Sequence, residues 1–466
     1  MSARGSTIER EARGGRWIEK WNPEDKGFWE STGKYVARRN LIFSIFAEFL
    51  GFTTWTLFSI VAALLPALGY DFTAAQQFGL VALPPLVGAT LRFPYTFAVG
   101  LFGGRNWTIV SALLLLIPTV MLGVIIQNPD TPYGIFALAA ALGGFGGGNF
   151  SSSMTNIGYF FPNEKKGTAL GLNAAGGNLG VGVVQLLVPF LIAIPALAVV
   201  GGSQTNATTG AEVFAQNAAF FWVPIIVLSA IFAFLFMDNL NVSQASPREQ
   251  APVVKRKHAW VMSFLYIGTF GSFIGYSGSF PTLVINVFPE FSAVWLVAVG
   301  PIVGSLVRPI GGWLSDRVGG ARVTFWNFFV MTLGAIAVLY FLAAHSFVGF
   351  FLSFMVLFAT AGIGNGSTYR MIPTIFRTES EREVEGQGEG IVAEARRRGL
   401  KQGAFAVGFA GAIGAYGGFF IPQAFKASVA ATGGPQIALM AFVAFYAICI
   451  AVTWYFYFRK GAEIRC

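Results

Sequence analysis

The sequence predicts an all-α membrane protein with twelve transmembrane helices in two pseudo-symmetric six-helix bundles. Three observations predict it. Charged residues make up only 11% of the chain, against roughly 25% in soluble globular domains. Apolar runs long enough to cross a bilayer recur twelve times. Unusual residues of the first half reappear in the second at one constant spacing.

The 466 residues are 55% hydrophobic and include 48 Phe and 57 Gly; glycine is commoner in membrane helices than in soluble ones. A soluble protein with a large core would keep its apolar runs short, and these are long. Cys449, Cys466, His258 and His345 are the whole complement of Cys and His. They build no metal or disulfide framework, so no metal or cofactor is expected. No nucleophile–base constellation stands out, so the chain is not read as an enzyme. The net charge of +9 would suit nucleic acid, but the charges gather in the tails and alternate connections, which excludes that reading. Residues 1–39 are polar and basic, with no apolar core followed by a cleavage site. They are read as a cytoplasmic tail, not a signal peptide.

A spanning helix needs about 20 mostly apolar residues. Runs between polar turns place spans near 40–66, 76–102, 107–127, 133–161, 168–200 and 217–237. A second set follows near 259–285, 292–314, 323–343, 347–376, 402–427 and 436–458. The expected domains are thus a six-helix bundle over 40–237, a cytoplasmic linker over 238–258, a second bundle over 259–458 and a tail over 459–466. All but four of the 31 Lys and Arg fall in the tails or the even-numbered connections. Cytoplasmic loops carry that excess, so a multi-pass inner-membrane protein with both termini inside is expected. The cluster Lys255-Arg256-Lys257 reads as a topology anchor beside anionic lipid.

Shifting the first half by 216 residues lays Arg92 on Arg308 and Gly103-Gly104 on Gly319-Gly320. It also lays the run from Gly146 through Asn149 to Ser152 on that from Gly362 through Asn365 to Thr368. After the longer connection 377–401 the shift becomes 232, matching Gly171, Gly176 and Gly182 with Gly403, Gly408 and Gly414. Parallel six-helix repeats are the architecture of major facilitator transporters. Gly311-Gly-Trp-Leu-Ser-Asp316-Arg317-Val-Gly319-Gly-Ala-Arg322 resembles that superfamily's signature loop, which latches neighbouring helices on the inner side. The first half keeps only Gly103-Gly104-Arg105 and has lost the acid.

The four exceptional cations are Arg92, Arg308, Arg370 and Lys426. An arginine at the centre of a span costs on the order of 2.5–3.5 kcal/mol on insertion scales, so it must face protein, water or a counter-ion. Arg92 and Arg308 each stand eleven residues before their glycine pair, roughly 16 Å above the inner loop. That is near the midplane of a core about 30 Å thick. No acid in their own spans neutralises them, so the pair suits an anion. Guanidinium is planar and presents a fork of donors that matches flat oxyanions. Nitrate and nitrite are flat and small; phosphate or sulfate would satisfy the charge as well. The plain alternative is that each arginine bonds helix carbonyls at a kink beside Pro94 or Pro309.

The stretch Gly144-Phe-Gly-Gly-Gly-Asn149-Phe-Ser-Ser-Ser-Met-Thr-Asn156-Ile-Gly-Tyr-Phe-Phe-Pro162 resembles the nitrate signature of the NarK-like nitrate/nitrite porters of the major facilitator superfamily. It continues through Gly167 and Gly171-Leu-Asn173-Ala-Ala-Gly176-Gly-Asn178-Leu-Gly180. The run from Gly408 through Gly411, Gly414 and Gly417 to Pro422 is similar to the second signature. Trp21-Asn-Pro-Glu-Asp25, Phe28-Trp29 and the run Ile267 to Gly275 agree too, so the resemblance covers nearly the whole chain. It implies a major facilitator fold and transport of nitrate and/or nitrite by alternating access, as nitrate/nitrite antiport or nitrate/proton symport in nitrate assimilation. It also implies that Arg92 and Arg308 clasp the anion between the halves. Phe150 and Phe270 would then enclose it, Tyr266 would offer a hydroxyl, and Asn173 and Asn178 would lie near. The expected partners are nitrate, nitrite, lipid and, in the symport mode, protons, with the chain a monomer.

Glu48, within the first span, and Arg370, within the tenth, depart from the family pattern, and each is about eight residues from its inner end. Either they form an inner-gate salt bridge or Glu48 carries a proton. A channel or nitrate sensor is the competing class. The tails hold no signalling domain, and two equivalent halves favour alternating access over an open pore. The paired arginines disfavour a sugar or drug carrier. Small residues spaced as in Gly167-xxx-Gly171 and Gly176-xxx-Gly180 permit close helix packing.

Overall fold

In hydrocarbon each backbone N–H and C=O needs a partner within the protein, which long apolar helices supply from their own backbone. The computed structural model describes residues 16–241, 251–291 and 293–466; residues 1–15 of the expected tail and 242–250 of the expected linker lie outside these. The chain follows the twelve expected spans. α1 is Lys34–Leu64, α2 Ala74–Phe102, α3 Gly104–Ile125, α4 Tyr133–Phe160, α5 Asn163–Leu191 and α6 Trp222–Phe236. Then come α7 Lys257–Val287, α8 Val299–Val318, α9 Gly320–Ala343, α10 Phe347–Arg382, α11 Glu389–Thr432 and α12 Gln436–Phe458. Eleven helices among the described residues are long and apolar enough to cross a membrane. α4 spans 28 residues, but its run from Gly143 to Ser153 is mostly glycine, serine and asparagine, which lowers its apolarity.

The chain divides into two compact units. One comprises the described residues of Met1–Asp71 and Val87–Pro247, the other Phe72–Leu86 and Arg248–Cys466. The division differs from the expected bundles in the first turns of α2, which pack with the second unit. There Phe78 stacks on Phe425 with centroids 5.6 Å apart, and Asn286 donates to the Gln77 amide oxygen at 3.0 Å.

The repeat is visible within each unit. α2 and α8 both end at a glycine with positive φ, Gly103 at 83° and Gly319 at 95°. A side chain would strain that backbone, which explains why both halves keep the glycine. The glycine run of α4 has a packing role too: a Cβ at Gly147 would stand 2.5 Å from the Trp55 ring. Among the paired small residues, Gly176 and Gly180 pack against α1, whereas a Cβ at Gly167 or Gly171 would meet nothing within 4 Å. The packing expectation therefore holds for the second pair only.

Residues 16–33, expected as tail, fold onto the first unit. Ile18, Trp21 and Trp29 are buried with Ile157, Phe160, Phe161 and Leu240, and the Trp21 indole donates to the Tyr159 carbonyl at 3.1 Å. Trp17–Ile18 pairs in parallel with Asn239–Leu240. Asp238, fully buried, accepts from Arg39 and from Asn40 at 3.2 Å, and is ion-paired with Arg16 at 3.2 Å. The Asn239 side chain in turn accepts from the Arg105 backbone N–H at 2.9 Å. The acid missing from the first-half loop is thus matched by one at the end of α6.

In the second unit, the connection expected over 377–401 is largely helical, because its Glu, Arg and Ala residues are good helix formers. It extends α10 and α11, and Arg398 bonds Glu383 across the gap at 2.8 Å. Two residues of the basic cluster pair with acids of their own unit: Arg256 with Glu379 and Glu383, and Lys257 with Glu463.

Candidate anion-binding residues

In the first unit α2 carries Arg92 into the interior, fully buried. Its guanidinium carbon lies 4.5 Å from the Phe150 ring centroid and 5.3 Å from that of Trp55. Its Nε donates to the Gly147 carbonyl at 3.0 Å. The carbonyl-bonding alternative is therefore realised in part, but with α4 as the partner and not at the Pro94 kink. Asn173, also fully buried, donates to the Ser153 hydroxyl at 2.7 Å. Asn178 is 1% exposed, and neither of its amide atoms has a partner among the described residues.

In the second unit α8 carries Arg308, 5% exposed, over the Tyr369 ring at 5.4 Å. Its Nη1 is buried and finds no hydrogen-bond partner among the described residues. Tyr266 stacks on Phe270 with centroids 5.3 Å apart and leans on Tyr369 at 6.4 Å. Local geometry explains this aromatic group: Ile267–Gly271 is a π-helical turn inside α7. Such bulges re-aim side chains and are frequent at functional sites. Gly414 of α11 makes room for Tyr266, since a Cβ there would stand 2.6 Å from the Tyr266 ring.

The expected residues therefore gather into two constellations: Arg92 with Phe150, and Arg308 near Tyr266 and Phe270 through Tyr369. Trp55 and Tyr369 are additions that sequence reasoning missed. The 216-residue shift lays Tyr369 on Ser153, an aromatic replacing a serine inside otherwise matching runs, and that mismatch was the available signal. A Glu48–Arg370 bridge was expected as one of two alternatives; the second unit shows that Arg370 has an acidic partner of its own. Arg370 bonds Asp316 at 2.5 Å, and both side chains are more than half exposed. The acid of the signature loop takes the pairing. Glu48 is 1% exposed, against Gly177 of α5.

Transmembrane helices in two repeated six-helix sets define a secondary carrier, and the comparisons with known proteins agree. The chain belongs to the Major Facilitator Superfamily, whose family model matches residues 45–393. Within it the chain belongs to the nitrate/nitrite porters. It is 45% identical over 448 residues to the nitrate/nitrite transporter NarU of Escherichia coli, covering 95% of this chain and 96% of the relative. It is 37% identical to the probable nitrate/nitrite antiporter NarK2 of Thermus thermophilus, covering 97% and 99%. The crystal structure of a D-xylose-proton symporter shares the fold, with a TM-score of 0.59 at 16% identity over 90% of this chain and 97% of that one.

Proposed function

We propose that this multi-pass membrane protein carries nitrate and nitrite by alternating access, with Arg92 and Arg308 binding the same anion. The observation that carries this reading is the state of the two guanidiniums. Each is buried against an aromatic face, and the Arg308 Nη1 has no hydrogen-bond partner among the described residues. A buried cationic donor left without a partner, as at Arg308, is costly, and an anion offsets that cost. Planar oxyanions match the guanidinium fork better than a spherical ion does. Phe150, Phe270 and Tyr266 shield the anion from water, and shielding strengthens charge-assisted bonds. The names of the relatives favour nitrate and nitrite over phosphate or sulfate.

In this reading the chain works as a monomer in the inner membrane with both termini cytoplasmic, and it performs no covalent chemistry. Its mode is nitrate/nitrite antiport or nitrate/proton symport. Uptake of labelled nitrate into proteoliposomes tests it, comparing vesicles loaded with nitrite and vesicles under an imposed pH gradient. Stimulation by either supports carriage. Uptake that ignores both and simply follows the nitrate gradient identifies a channel.

A further inference from the structure

Asn365 of α10 is 1% exposed, and neither atom of its side-chain amide has a hydrogen-bond partner among the described residues. Tyr369, one turn later on the same face of the helix, has a buried hydroxyl that also lacks a partner among them. Their helix runs directly against Arg308. A Cβ at Gly366 would stand 2.2 Å from the Arg308 carbonyl oxygen, and the Arg308 guanidinium carbon lies 5.4 Å from the Tyr369 ring centroid. The Arg308 Nη1 belongs to the same group, buried and without a partner. Three polar side chains able to donate are thus left unsatisfied at one level of the α8–α10 contact.

The polar residues between Asn365 and Tyr369 behave differently. Ser367 shares a hydrogen bond with Thr324 of α9 at 2.8 Å, and Thr368 shares one with Thr269 of α7 at 3.1 Å. Those two are satisfied within the protein, as buried polar groups generally are. Leaving a buried donor unpartnered costs stability, and packing does not account for that cost at Tyr369. In the first unit the bare ring of Phe150 backs Arg92, so an aromatic face for a guanidinium needs no hydroxyl. The second unit departs from its repeat by placing a phenol under its arginine, at the position that the 216-residue shift lays on Ser153.

We propose that Tyr369 and Asn365 are anion-binding residues, with the Tyr369 hydroxyl and the Asn365 amide N–H groups donating to the anion that Arg308 holds. The inference rests on the reading that Arg308 binds an anion and deepens it, because it assigns two neutral donors that orient the anion. A planar oxyanion has separate acceptor atoms to distribute among a guanidinium, a hydroxyl and an amide.

The test is calorimetric titration of sodium nitrate into the full-length protein in detergent, with the thermal midpoint of each variant measured without nitrate. Tyr369→Phe keeps the ring under Arg308 and removes only the hydroxyl. Asn365→Leu keeps most of the volume and removes both amide atoms. A hydrogen bond to a charged group is a strong one, so each variant should bind nitrate about tenfold more weakly. Each change also removes a buried polar group that lacks a partner, so the nitrate-free midpoint should equal the wild-type value or exceed it. Wild-type affinity in either variant overturns the assignment of that residue. Weaker binding accompanied by a lower nitrate-free midpoint overturns it too, because a bond within the protein has then been lost. If Asn365→Leu does not fold, Tyr369→Phe decides alone. Arg308→Lys separates the two readings: loss of nitrate binding there, with wild-type affinity in Tyr369→Phe, overturns this proposal alone. Wild-type affinity in Arg308→Lys overturns the reading of Arg308 and this proposal with it.

Discussion

The Arg92 guanidinium lies over the Phe150 ring, 4.5 Å from its centroid. A desolvated cation on an aromatic face gains roughly 2 kcal/mol. Phe150→Leu keeps most of the volume and removes the face. Nitrate affinity, read by titration, should fall by roughly tenfold; unchanged affinity would reduce Phe150 to packing.

Gly414→Ala tests the aromatic group of the second unit. The added methyl stands 2.6 Å from the Tyr266 ring, and the fully buried ring must shift to admit it. Overpacking of this kind costs about 1–3 kcal/mol. Nitrate flux should drop more than thermal stability does. Gly408→Ala, where the methyl meets nothing within 4 Å, is the matched control and should leave both unchanged.

Asp238→Asn should destabilise the first unit. Removing one partner of a buried ion pair commonly costs 3–5 kcal/mol. Here the side chains of Arg16 and Arg39 are 24% and 32% exposed, so water screens part of the loss. About 1–2 kcal/mol is expected, seen as a lower thermal midpoint in detergent. A midpoint equal to wild type would mean that the Trp17–Gly33 segment is held by its apolar contacts alone.

Arg370 should couple to Asp316. Because both side chains are more than half exposed, a double-mutant cycle with Arg370→Gln and Asp316→Asn should give at most about 1 kcal/mol. Coupling found between Arg370 and Glu48 in place of this pair would contradict the assignment.

Much of this was legible in the sequence. The spans, the repeat and the burial of the two arginines follow from apolar length, a constant shift and the cost of charge in hydrocarbon. What escaped depended on geometry that spacing does not encode. Trp55 reaches Arg92 because the glycines of α4 let its ring lie close, a matter of helix crossing. Depth and charge suggested Glu48 as a partner for Arg370, but depth leaves the azimuth around a helix open, and within its own unit Arg370 bonds Asp316. Residues 16–33 looked like tail because they are polar on average; their few tryptophans and Ile18 do the packing.

The central claim is that two guanidiniums clasp one planar anion. Arg92→Lys and Arg308→Lys keep each charge and replace the fork with a point ammonium that cannot reproduce it. Hydrogen bonds to a charged group contribute roughly 1.5–3 kcal/mol. Counterflow of labelled nitrate in proteoliposomes, at equal protein content, should therefore fall at least about tenfold in each variant. Near-normal nitrate flux in either variant would contradict the claim.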